Sequence, residues 1–126
     1  MLYECKKFLD TNIYRSLHIL NGHFAPYYIN MRNDFKPVIG KEIFELISLC
    51  ISNMSNSYYH KNKEDKIKYA EELKQNMFHL EIKFKIIFDD YKIITEDQYT
   101  VLCKDCGKIE EQLEKWTNKL KNKCLI

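Results

Sequence analysis

From Tyr99 to Leu120 the large, mostly apolar positions are Tyr99, Leu102, Cys106, Ile109, Leu113, Trp116 and Leu120, separated by largely polar residues. The steps alternate between three and four. This is close to the 3.5-residue period of helices packed lengthwise on other helices. The entrance to this helix is also legible. Thr95 is a capping residue, Gln98 stands where it can return a bond to the Thr95 backbone N–H, and Ile94 and Tyr99 are spaced as a hydrophobic staple. Upstream, Cys5, Leu9, Ile13, Leu17, Leu20 and Phe24 predict a first helix over about 3–21, with Gly22 as its stop. His23 to about Asp34, with Pro26 and Tyr27-Tyr28, reads as an irregular connection.

A second helix is expected from Asp34 as N-cap, with Pro37 tolerated in the first turn, where its missing N–H breaks no helical bond. Its apolar face is Ile39, Ile43, Leu46, Ile47, Cys50, Ile51, Met54 and Tyr58. After a polar turn from His60 to Lys63, Asn62 is a candidate cap for a third helix, with Asp65 favourably placed in the first turn. Ile67, Ala70, Leu73, Met77, Leu80, Phe84, Ile87 and Tyr91 then repeat at three and four. Lys92-Ile93-Ile94 leads into the last helix. Four amphipathic helices with short second and third connections predict an all-α protein, an antiparallel up-down-up-down four-helix bundle, in one domain over 1–126. Phe44, Leu49, Phe78, Ile82, Ile86 and Phe88 lie off the tightest seams, which suggests self-association.

Composition agrees with this architecture. Hydrophobic residues make up 45% of the 126, too many for a disordered chain, and three Gly with two Pro provide little turn chemistry for a β fold. The net charge of +2 is small for a nucleic-acid binder, but the excess is uneven. Residues 1–41 hold six bases against three acids, residues 42–90 seven against nine, and no acid follows Glu114, whereas Lys115, Lys119, Lys121 and Lys123 do. The N-terminus lacks the apolar core of a signal peptide, and no apolar run approaches the roughly 20 residues of a membrane span. With an odd number of cysteines (five), the chain reads as a reduced, cytoplasmic protein with no membrane association.

Catalytic and metal signals are weak. Cys103-Lys104-Asp105-Cys106 is a CxxC, but zinc needs two more ligands and no second pair exists. A redox pair belongs at a helix N-terminus, whereas this one lies about two turns inside the last helix with Cys106 on its seam, so core packing is the better reading. His18, His23, His60 and His79 form no recognisable site. There is no paired-carboxylate, nucleophile-elbow or phosphate-loop pattern. The expectation is therefore a non-enzymatic protein with no catalytic residues, metal or cofactor. The basic run carries more. Lys104, Lys108, Lys115, Lys119 and Lys123 fall along one side of the last helix, a column able to track phosphates, with Glu111 diluting it. The plainer reading is a solvated face with cations at a helix C-terminus.

The chain resembles the Avd-like four-helix bundle proteins, the accessory variability determinants of diversity-generating retroelements, which are related to proteins encoded in 23S rRNA intervening sequences. The resemblance rests on Ile13-Tyr14 followed by Phe24-x-Pro26, on an apolar helix entered through a Gly40-containing segment, and on Ile94-Thr95-Glu96-Asp97-Gln98-Tyr99 leading to Gln112-Leu113-Glu114-Lys115-Trp116. It spans nearly the whole chain as a pattern. The chain lacks the Asn-Ile-Ala-Glu-Gly type stretch of the intervening-sequence branch, which favours the Avd branch. The resemblance implies a homopentameric ring that performs no catalysis, binds the reverse transcriptase and binds template RNA or cDNA through basic surface during mutagenic retrohoming. Arg15 and Arg32, with Lys104, Lys108, Lys115, Lys119 and Lys123, are the expected nucleic-acid contacts. The alternative is a helical protein–protein interaction module that binds no nucleic acid.

Overall fold

A computed structural model of the chain describes residues 7–122. Among these residues there is no strand, and four long α-helices dominate: α1, Asn12–Ile29; α2, Lys41–Tyr59; α3, Lys63–Lys85; and α4, Glu96–Asn122. A π-helical turn, Lys36–Gly40, leads into α2, and another, Ile86–Asp90, continues α3. α1 packs on α2 and α4, and α3 packs on the same two helices. The joined pairs include Tyr28 with Phe44, Glu42 with Lys83, Ser57 with Lys66, Glu71 with Lys121, and His23 with Asp105.

Most of the predicted seam positions form the core, but Leu9 and Tyr91 are exposed, and Cys5 lies outside the described residues. On α4, Leu102, Cys106, Ile109, Leu113 and Leu120 are buried, while Tyr99 and Trp116 lie half-buried against them. The entrance to α4 is a reciprocal capping box: Gln98 N–H donates to Thr95 Oγ1 at 3.1 Å, and Thr95 N–H donates to Gln98 Oε1 at 2.9 Å. This satisfies two backbone groups that a helix end would otherwise leave open. α3 is capped as expected, with Asn62 Oδ1 accepting from Glu64 and Asp65 N–H. Trp116 Nε1 donates to Ser57 Oγ at 2.8 Å, so the half-buried indole packs against the core without stranding its only donor.

The first helix is broken within its predicted span and runs past its predicted end, while its predicted start near residue 3 lies outside the described residues. Residues 7–9 are helical, but a turn and bend at Asp10 and Thr11 restart the chain, and Thr11 caps α1 by accepting from Tyr14 N–H at 3.3 Å. Gly22 does not stop the helix. It sits on the exposed side, and α1 runs through Pro26 to Ile29. Packing decides this. Phe24 is fully buried with its ring centroid 5.9 Å from Phe84, and Tyr28 meets Phe44 at 5.2 Å, so staying helical buries aromatic surface that a loop would expose. The irregular connection is thus shorter than predicted. Asp34 does not cap α2; its carboxylate is turned to Arg32 at 3.0 Å, and helical structure begins at Lys36, with Pro37 in the first turn as expected.

The junction into α2 depends on Gly40. A Cβ there would stand 2.8 Å from Met31 Sδ and 3.0 Å from the Tyr28 ring. Met31 can bend away, but Tyr28 is held by Phe44 and Phe24. Gly40→Ala is therefore expected to cost about 1–3 kcal/mol from overpacking, read as a lower denaturation midpoint with an unchanged slope.

Of the six off-seam apolar residues, Phe44 and Phe88 are packed, Phe88 by stacking on Tyr99 at 4.5 Å. Leu49, Phe78 and Ile82 remain exposed, and Leu49 and Ile82 line a cleft between α2 and α3 with Leu46 and Ile86.

Candidate nucleic-acid interface

The exposed lysines of α4 occupy one strip. At about 100° per residue, Lys104, Lys108, Lys115 and Lys119 fall within an arc of roughly 60°, spread over about 22 Å of helix. All four are exposed, and among the described residues Lys104, Lys108 and Lys119 have no ion-pair partner. Lys115 lies 3.5 Å from Glu111, one turn back on the same helix, with both side chains well exposed. Such a pair contributes little and exchanges readily for another anion. Lys123 lies outside the described residues. Lys121 points to the other side of α4, where it meets Glu71 of α3 at 3.5 Å.

Three of these lysines border a groove of about 470 Å³ between α4 and the start of α1. Lys108, Lys115 and Lys119 stand on one wall with Glu111, Thr11 and Asn12 form the other, and Ile13, Met54 and Trp116 contribute apolar surface. One carboxylate against three ammonium groups leaves the lining net positive by two. The N-terminal dipole of α1, which has no acid in its first turn, points the same way. The groove's second wall is hidden in the sequence because the apolar spacing runs on through residue 11 as if the first helix were continuous. The Asp10-Thr11-Asn12 cluster was the available signal, since these residue types favour helix N-caps.

The two arginines are not brought to this groove. Arg15 is exposed on α1 beside Asp10, at 3.6 Å, and does not line it. Arg32 lies in the connection after α1, pairs with Asp34 at 3.0 Å and stacks 5.3 Å from the Phe35 ring centre. Residues near the start of α1 meet Lys115 and Lys119 in the groove, whereas His23, further along α1, reaches Asp105. Arg32, beyond the end of α1, therefore sits apart from the lysine groove.

The opposite side of α4 is acidic. Glu71 and Glu81 of α3 face Glu110 and Glu114 across a second groove of about 460 Å³, with Lys74 and Lys121 as its cations. α4 therefore divides a positive groove from a negative one, which is why a total charge of +2 conceals a basic strip.

The CxxC does not form a reactive pair. Cys106 is fully buried, and burial followed by the nearby Glu81 and Glu110 pushes its thiol pKa up, away from the thiolate. Cys103 is exposed, so only one of the two cysteines packs in the core. Cys50 is likewise buried and pushed up to about 12 by burial. Among the described residues there is no group of three side chains able to hold a metal ion, and no helix is long and apolar enough to cross a membrane. Compared with family models, curated proteins and solved structures, the chain matches none.

Proposed function

We propose that the protein is a non-catalytic accessory protein of a diversity-generating retroelement. It holds RNA, template or nascent cDNA on the α4 lysine strip while it engages the reverse transcriptase. The observation that carries the nucleic-acid part is the α1/α4 groove: three lysines, two of them without an ion-pair partner among the described residues, face a helix N-terminus across a space open to solvent. Phosphates bind such surfaces by displacing counterions and need no enzyme chemistry. The retroelement and its reverse transcriptase come from the sequence resemblance, and the site proposed here is narrower than the one expected from the sequence. Lys104, Lys108, Lys115 and Lys119 form it; Arg15 and Arg32 are left out.

The bundle proposed for this role is antiparallel, up-down-up-down. In support, Glu42 meets Lys83 while Ser57 meets Lys66, so the later residue of α2 finds the earlier residue of α3. Glu71 with Lys121 follows the same rule for α3 and α4, and the later Glu81 lines one groove with the earlier Glu110. We assign Leu49, Phe78 and Ile82 to contacts between copies in a cytoplasmic ring, pentameric by resemblance, because they leave apolar surface uncovered on α2 and α3. The same surface favours a second reading, in which the protein docks another protein and binds no RNA. Native mass spectrometry combined with a gel shift on single-stranded RNA at low salt separates the two. A ring that shifts RNA supports the first; a monomer with no shift supports the second.

A further inference from the structure

The α1/α4 groove holds more than charge. Lys108, Gln112 and Trp116 follow one another at four-residue steps, so they share one side of α4, and all three line the groove. Ile13 and Met54 line it too but are almost wholly buried, so the half-buried Trp116 indole is the apolar side chain an incoming group meets. That ring is held in place from behind. Tyr58 stacks on it with ring centroids 6.3 Å apart, and its Nε1 is bonded to Ser57. Gln112, one turn back, is the second feature. Its Oε1 is buried and accepts no hydrogen bond among the described residues, from the lysines beside it or from any other group. A buried acceptor left unmade is costly. Turning the side chain into the groove breaks no bond at that oxygen and offers it a new partner. A phosphate is not that partner, because its ionised oxygens only accept. The edge of a nucleobase carries N–H donors as well as acceptors, and a glutamine amide can meet both.

We propose that the groove takes a single strand: phosphates lie on Lys108, Lys115 and Lys119, and one unpaired base turns in against Trp116, where Gln112 bonds its edge. This rests on the nucleic-acid reading above and names the form of nucleic acid that the groove selects. The groove's volume of about 470 Å³ suits such an occupant, being within the ~300–1,000 Å³ of pockets that hold small molecules. Unpaired bases are free to stack on aromatic side chains and to offer their edges. A duplex keeps its base faces stacked on one another, so it meets the lysines but gives Trp116 nothing to stack on. Glu111, the one carboxylate of the lining, weakens the phosphate contact without reaching across to the base, since it is turned to Lys115.

The test compares three probes at low salt: a short oligouridylate, its duplex with the complementary strand, and an abasic strand of the same length. The chain has one tryptophan, so its emission reports on this groove. Charge alone favours the duplex, whose phosphates are denser along the axis. Base capture reverses that order: oligouridylate changes Trp116 emission and binds more tightly than the duplex. The abasic strand binds about tenfold more weakly than oligouridylate, the loss of one stacked base, and leaves the emission unchanged. Gln112→Leu lowers affinity for oligouridylate about two- to tenfold, the worth of one hydrogen bond, and leaves affinity for the abasic strand as it was. Duplex or abasic strand bound as tightly as oligouridylate would overturn base capture and leave the phosphate strip standing. An equal loss on both strands in Gln112→Leu would remove Gln112 from the site. Failure of all three probes to bind would overturn the strip as well. The comparison of probes on the wild type stands even if the variant folds poorly.

Discussion

Replacing Lys108, Lys115 and Lys119 together by glutamate is expected to lower affinity for single-stranded RNA by about two to three orders of magnitude near ~50 mM salt. Each lysine neutralising a phosphate on a single strand contributes about 0.7 to the salt slope, so the three supply about 2. The strip is exposed, and its one internal ion pair, Lys115 with Glu111, is weak, so the substitutions leave the core untouched. Circular dichroism and melting temperature should therefore change little while binding collapses. Arg32→Glu is the internal control. Arg32 is already paired with Asp34 and stands apart from the groove, so its reversal should change affinity by no more than about twofold. A protein whose RNA affinity fell equally with Arg32→Glu would be using diffuse positive charge, and the groove would lose its special role. Fluorescence anisotropy on one labelled strand covers both variants.

Phe84→Ala should have the largest effect on stability, about 3–5 kcal/mol. Phe84 is 1% exposed and packs on Phe24 of α1 at 5.9 Å between ring centroids, so one side chain ties α3 to α1 across the core. Removing it opens a cavity and forfeits an aromatic pair. Against the 5–15 kcal/mol typical of a whole domain, this is a large share. Urea unfolding should show a much lower midpoint with a similar slope. A loss below about 1 kcal/mol would mean that the site collapses around the gap and that α1 is not held there.

How much was legible in the sequence varied along the chain. α4 was readable almost completely because its signals are local. A capping box, a three-four seam and an acid-free lysine end lie within one helix. The cap of α3 at Asn62 was readable for the same reason. α1 is only partly legible because local and tertiary signals conflict there. Gly22 and Pro26 argue for a stop, but the packing of Phe24 and Tyr28 keeps the helix going. The π-helical turns at Lys36–Gly40 and Ile86–Asp90 leave no periodic trace that a window of apolar residues would show. At the candidate site the lysine strip was visible as a four-residue spacing. The groove beside it was not, since Thr11 and Asn12 belong to another helix and reach α4 only through folding. The acidic groove was invisible for a similar reason: Glu81 and Glu110 are unremarkable until α3 and α4 pack.

The central claim is that the α4 strip binds phosphates, and the salt dependence of RNA affinity tests it most directly. For the unmodified protein, a plot of log affinity against log salt should be linear with a slope of about −2 to −3, as three or four lysine–phosphate contacts on a single strand require. A flat line, or no measurable binding at the lowest salt, would contradict it.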